Sequence, residues 1–268
     1  MEQDVLTLHS SLSSDALKNK LRLLGPWSHR VDFDNGVSTR DFARSGLFSE
    51  SPLRKFRCVA AVIPFHELKG GCLLDIGCNA GYNSINAALD YEMSTVGIDV
   101  IRRHIEAARF LAATAGAPCE FELASAETFS RPADFDVVLH FGTLYHLPNP
   151  LLSLWRSFEN LKLGGYIAIE TQVYDHPEDS NVCYFMHGHN NDDTNFWALS
   201  TPVLRKSLEL IGFTEVQELT RVVPPNGTLG QHMARIIVVA RKLRTGYGPR
   251  GAHTQRSMQE LPDSPLND

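Results

Sequence analysis

Two periods of hydrophobicity take turns along this chain. Short apolar runs bounded by turn residues stand at 72–78, 95–100, 119–124, 135–141 and 166–172, the pattern of strands buried in a sheet. Between them, apolar residues recur at helical spacing over about 82–90, 102–115 and 150–163. The third helix has Asn149 as cap and Pro150 in its first position, a favoured arrangement. It presents Leu151, Leu154, Trp155, Phe158 and Leu161 before Gly164-Gly165 stops it. Thr201-Pro202 opens a last helix that closes at Gly212, and strands follow at about 214–222 and 232–241. Strands alternating with helices require parallel pairing and right-handed crossovers. Two successive strands at the end predict an antiparallel last strand. The expectation is an α/β fold with a mostly parallel seven-stranded sheet.

The flanks read differently. Residues 1–12 look frayed, and SDALKNKLRLL predicts a short helix capped by Ser14 and stopped at Gly25. Asn35-Gly36 is a turn signal with strand-like residues on both sides. A helical pattern over 53–65 leads into the first strand. The expected organisation is an N-terminal cap (1–52), the main domain (53–243) with a polar lid insert at 174–199, and a tail (244–268). The tail is polar and rich in proline and glycine, a composition that favours disorder.

The strand LLDI breaks into the turn GCNAG, and the next strand, VGID, ends in Asp99. In open α/β sheets, ligands sit beyond the carboxyl ends of the strands, where glycines admit close backbone approach. An acid ending the second strand is placed for a pair of ribose hydroxyls. The turn lacks the GxGxxG spacing that seats a pyrophosphate on a helix N-terminus. Asp75, just before the turn, would repel a diphosphate but suits a cationic amino-acid tail. S-adenosylmethionine has such a tail, a sulfonium, both ribose hydroxyls and no phosphate. The pattern Asp75-x-Gly77-x-x-x-Gly81 resembles the first motif of the Rossmann-like class I methyltransferase fold. Asn79 stands where many of those enzymes have a third glycine, and asparagine tolerates left-handed backbone.

Composition narrows this only modestly. The chain has 268 residues, 43% hydrophobic and 21% charged, enough for one sizeable α/β domain with an appendage. No apolar run approaches a membrane span, and the N-terminus carries no leader pattern. The five cysteines form no CxxC, consistent with reduced thiols and a cytoplasmic location. A net charge of −6 advertises no general nucleic-acid surface, although a local basic patch remains compatible with it.

FDVVLHFGTLYHLPNP, 135–150, is the second informative segment. It places His140, Phe141, Tyr145 and His146 at one carboxyl edge. Phe141 is a candidate to face the adenine or the sulfonium; His140 or His146 is the candidate base, with Tyr145 orienting the acceptor. A polar residue satisfied at a strand end explains a lone histidine equally well. Ala126 and Glu127, after the third strand, are candidates for gripping adenine, and Glu170 is a weaker catalytic candidate. His187, His189, Asp192 and Asp193 could ligate a metal, but they lack a third ligand at diagnostic spacing. The expectation is no metal and a polar lid whose aromatics, Trp197 among them, cover an organic acceptor.

PWSHRVDF, LLDIGCNAGYNS, VGIDV, FGTLYHLPNP, LGGYIAIET and NFWALSTPVL together resemble the wobble-uridine tRNA carboxymethyltransferase-like family over roughly residues 25–215. The resemblance implies a class I sheet and an S-adenosylmethionine-type donor. Family members proper use carboxy-S-adenosyl-L-methionine, whose added carboxylate must be held by cationic or hydroxyl groups. Tyr145 matches the family tyrosine used for this, and Lys55 a family lysine. His29, beside Trp27, stands where the family has lysine. The family's late arginine is not located, because the chain diverges after residue 216.

The leading expectation is therefore methyl transfer from S-adenosyl-L-methionine to an O- or N-nucleophile on a small organic acceptor. Trp27, His29, Lys55 and Trp197 are the acceptor-side candidates. Carboxymethyl or methyl transfer to a tRNA wobble uridine is the alternative, and a catalytically inactive cofactor-binding partner subunit the second. A NAD-dependent oxidoreductase is the remaining competitor at the level of fold.

Overall fold

The computed structural model describes residues 4–43, 48–187, 192–223 and 232–246. In chain order its main elements are β1 (Leu6–Leu8), α1 (Ser14–Leu24), β2 (Val31–Phe33), α2 (Arg54–Ala60), β3 (Cys72–Ile76), α3 (Tyr82–Asp90), β4 (Ser94–Asp99), α4 (Arg102–Ala115), β5 (Cys119–Leu123), β6 (Phe135–Phe141), α5 (Pro150–Asn160), β7 (Leu161–Tyr174), β8 (Cys183–Phe185), β9 (Trp197–Leu199), α6 (Thr201–Ile211), β10 (Thr214–Val222) and β11 (Met233–Arg241). The sheet runs β10-β11-β7-β6-β3-β4-β5. Neighbours from β7 to β5 pair in parallel, and β11 pairs antiparallel with both β7 and β10. These seven strands, to which β9 and β8 are added beside β7 in a nine-stranded sheet, form the mostly parallel Rossmann-like class I methyltransferase arrangement expected from the pattern.

The central strands are apolar on both faces because helices cover both. Leu74, Ile76, Val138, Ile167 and Ile169 pack toward α5 and α6, while Leu73, Val137, Leu139 and Ala168 pack toward α2 and α3. The carboxyl ends of β3, β4 and β6 therefore open on one edge, with the cap beside them.

Four local expectations are corrected. Residues 1–12 are not uniformly frayed: Leu6 and Leu8 are buried, and β1 pairs in parallel with β2. Alternation in Leu6-Thr7-Leu8 puts both leucines on the face that meets Leu17, Leu21, Val31 and Phe33. The cap of α1 is Ser13 rather than Ser14, its side chain accepting from Ala16 N–H. Helix α5 stops at Asn160, short of Gly164-Gly165. The Lys242 ammonium donates to the carbonyls of Phe158 and Leu161 at 2.6 and 2.7 Å, satisfying the helix end where β7 begins. Finally, the insert is not wholly irregular: β8 and β9 pair antiparallel, and β9 joins β7. The expected tail from 247 onward lies outside the described residues. No described helix is long and apolar enough to cross a membrane.

Candidate active site

The turn between β3 and α3 is held by its own backbone. Gly77 and Cys78 donate to Ile98 O at 2.8 and 3.0 Å, stitching the turn to the end of β4. Gly77 has φ +69°, and a Cβ there would lie 2.0 Å from Thr143 Oγ1, so no larger residue fits. Asn79 takes φ +51°, as its residue type permits, and its side-chain oxygen accepts from Ala80 N–H at 2.8 Å.

Asp75 stands behind this turn rather than on its open face. It is 1% exposed and accepts from Ser84 Oγ at 2.8 Å. Burial pushes its pKa up to about 7, against the pull of the Ser84 hydrogen bonds. Its hydrogen bond to Ser84 braces the first turns of α3.

Asp99 faces the opposite side of the crevice. Oδ1 accepts from Ile101 N–H at 2.9 Å; Oδ2 accepts from Asn79 N–H at 3.0 Å and lies 3.1 Å from His104 Nδ1. A carboxylate at the tip of β4 and a positive-φ turn without phosphate-binding spacing fit the adenosine and sulfonium of S-adenosylmethionine. On the adenine side, Ala126 is buried in the core. Glu127 Oε1 accepts from Asn149 N–H at 2.6 Å, which ties its loop to the start of α5. Phe141 packs with Phe56, Val59 and Ile237, so its ring belongs to the core beneath α2.

Beside the turn, a cluster of charges is organised around Glu170. Its carboxylate receives Lys55 Nζ at 2.9 Å and Arg235 Nε and Nη2 at 2.6 and 2.8 Å. Arg235 Nη2 also reaches Tyr145 OH at 3.3 Å. Burial raises the Glu170 pKa, but Arg235 hydrogen bonding and charge, with Lys55, outweigh it and hold the carboxyl at about 2. Burial lowers Lys55, and Glu170 only partly restores it. For Arg235, burial is outweighed by Glu170, and its pKa rises. Two cations thus share one carboxylate. Arg235, which the sequence reading did not single out, stands with Tyr145 and, across Glu170, with Lys55. A signal was present. Arg235 interrupts the apolar stretch of β11, Glu170 interrupts that of β7, and the strands are neighbours.

The histidines separate. His140 is fully buried, its Nε2 2.8 Å from Ser153 Oγ on α5, and burial lowers its pKa to about 4. The expectation of a base at this position is corrected, because the ring faces the core and has no route to an acceptor. His146 is half-buried, its ring against Tyr145 at 4.3 Å and its Nδ1 2.9 Å from Thr194 Oγ1; burial lowers its pKa. His29 packs on Tyr82 at 4.1 Å, with a buried Nδ1 that has no partner among the described residues. Burial, then the charges of Lys55 and His104, lower its pKa to about 3, so it is neutral at physiological pH.

Two tryptophans have structural positions. Trp27 is 3% exposed and donates to Leu21 O at 2.8 Å inside the cap, which removes it from the acceptor-side set. Trp197 donates to Pro148 O at 3.1 Å and meets Phe185 edge-on at 5.1 Å. His189 lies outside the described residues, among which no cluster of three or more histidine, cysteine or acidic side chains could hold a metal.

Residues 68–210 match the family described as "Methyltransferase domain". A tRNA U34 carboxymethyltransferase of Marinobacter nauticus is 30% identical over 217 residues, covering 78% of this chain and 62% of that protein. Its counterpart in Shewanella halifaxensis is 27% identical over 205 residues, covering 75% and 58%. The chain spans about three-fifths of the length of these two curated relatives. Among solved structures, the N-terminal domain of EvdMO1, determined in the presence of SAH and D-fucose, superposes with a TM-score of 0.67 at 20% identity, covering 86% of this chain and 97% of that one. That likeness is one of fold. From the family match, the sheet order and the donor crevice, the chain belongs to the methyltransferase-domain family and is a class I S-adenosylmethionine-dependent methyltransferase.

Proposed function

We propose that this enzyme transfers a carboxymethyl or methyl group from its S-adenosylmethionine-type donor to the wobble uridine, U34, of a tRNA. The observation that carries this reading is the convergence of Lys55 and Arg235 on Glu170, with Tyr145 OH beside Arg235. The resemblance assigns Tyr145 to holding a donor carboxylate and matches Lys55 to a family lysine, and Arg235 is a candidate for the family's late arginine. One positive charge is left over in a half-buried site, and an anionic partner would compensate it. The names of the relatives support the same acceptor and move the small organic acceptor to second place.

The donor supplies a carbon activated by its sulfonium. The chain's own part is to hold: Asp99 is placed for the ribose, and Tyr145 and Arg235 for charge beside the reacting carbon. Such chemistry depends chiefly on alignment in a site that excludes water. Glu170 is an anchor for two cations rather than a base, since its proton is lost at far lower pH. His146 remains the histidine placed beside Tyr145.

A plain methyl transfer to a small acceptor keeps a specific observation in its favour. The insert over the site contains Asp175, Glu178, Asp179, Asp192 and Asp193 and no lysine or arginine, a composition that repels a phosphate backbone. Neutral His29, where the family has lysine, points the same way. The test offers the full chain tRNA and a small-metabolite extract with S-adenosylmethionine or its carboxylated form, followed by nucleoside mass analysis. Modification of U34 supports the proposal; labelled small molecules with unmodified tRNA contradict it.

A further inference from the structure

Asp99 has more partners than an acid reserved for two ribose hydroxyls needs. Each carboxylate oxygen offers two lone-pair positions. On Oδ2 both are taken, by Asn79 N–H at 3.0 Å and by His104 Nδ1 at 3.1 Å. On Oδ1, Ile101 N–H takes one at 2.9 Å and leaves one. A ribose presenting both hydroxyls to Asp99 alone is therefore one acceptor short.

His104 is placed to make up the difference. It lies in the first turn of α4, where side chains lean back toward the helix N-terminus and hence toward the tip of β4. Its side chain is 18% exposed and that of Asp99 is 9%, so the pair sits at the crevice wall rather than in the core. The turn that carries His104 is anchored, because Arg103 Nη1 donates to Gly25 O of the cap at 3.0 Å.

We propose that His104 is a second ribose-binding residue, which takes one hydroxyl of the donor while Asp99 Oδ1 takes the other. The proposal rests on the S-adenosylmethionine reading of the crevice and is independent of the acceptor. In the bound state the imidazole either keeps Asp99 and offers its other nitrogen, or turns from Asp99 to the hydroxyl. Both make His104 a determinant of selectivity for an intact ribose.

The test is calorimetric binding of S-adenosylhomocysteine and of its 2′-deoxy and 3′-deoxy analogues to the full chain. Wild type should bind both deoxy forms more weakly than the parent. His104→Ala should weaken the parent about tenfold, the scale of a hydrogen bond to a polar ligand, and should nearly abolish the penalty for one deoxy form while keeping the other. His104→Asn should recover part of that penalty, and it provides the same readout if the alanine variant does not fold. Deoxy penalties unchanged from wild type, or tighter binding of the parent by His104→Ala, would overturn the proposal. Failure of wild type to bind S-adenosylhomocysteine would instead overturn the donor reading beneath it.

Discussion

The donor side and the acceptor side of this crevice are built in opposite ways. The donor side comes from one βαβ stretch, residues 72–104, in which turn, acid and helix follow one another in sequence. The acceptor side draws Lys55 from α2, Tyr145 from the segment after β6, Glu170 from β7 and Arg235 from β11. The first is a local backbone device that any adenosylated donor can use. The second is a charge cluster assembled only by the sheet, and it is where selectivity for the transferred group and its acceptor would reside.

If that contrast holds, the largest effect should follow from removing the hub of the cluster. Glu170→Ala leaves two half-buried cations without their carboxylate and should cost about 3–5 kcal/mol in chemical denaturation. Asp75→Asn probes the donor side through pH. Below about pH 4, Asp75 is protonated in both the folded and the unfolded chain, so nothing distinguishes them. As pH rises toward 7 the unfolded carboxyl ionises while the buried one keeps its proton, and stability falls with a total of about 2–4 kcal/mol. The asparagine variant should lose this slope. Glu170 has the opposite sign: its contribution is complete above the ordinary carboxylate range and disappears as pH falls toward 2.

His140→Ala should cost about 2–3 kcal/mol of stability, from lost packing and an unpaired Ser153, with kcat/KM near wild type. A collapse of turnover in a folded variant would restore His140 as a catalytic candidate. Tyr145→Phe should do the reverse, lowering kcat/KM about tenfold or more while stability changes by less than about 1 kcal/mol. The smallest effect is expected for Trp197→Phe, about 0.5–1 kcal/mol of stability from one lost hydrogen bond.

The sequence was most legible where function is local. The periods of 72–141 located the central strands to within about two residues, and Asp75, Gly77, Asn79, Gly81 and Asp99 fall on one turn and its neighbour. Reading failed where a distant contact decides. Lys242, some eighty residues on in the chain, ends α5 at Asn160 by satisfying its carbonyls. Leu6 and Leu8 look dispensable until the cap gives them a face to cover. His140 and His146 are indistinguishable in FGTLYH and its flanks, yet the pleat turns one toward Ser153 while the segment beyond sets the other beside Tyr145. Arg235 stood out only as a charge in an apolar strand, because the partners that make it a site residue, Glu170 and Tyr145, are brought to it by the sheet.

The most direct test of the central claim is the identity of the modified product when purified full chain is offered tRNA with S-adenosylmethionine and with its carboxylated form, assayed beside Tyr145→Phe. The account predicts a carboxymethyl or methyl group added to U34, greatly reduced by Tyr145→Phe, with donor binding to that variant retained for S-adenosylmethionine. Unmodified tRNA with either donor, together with methyl transfer to a small acceptor that Tyr145→Phe leaves unchanged, would contradict it.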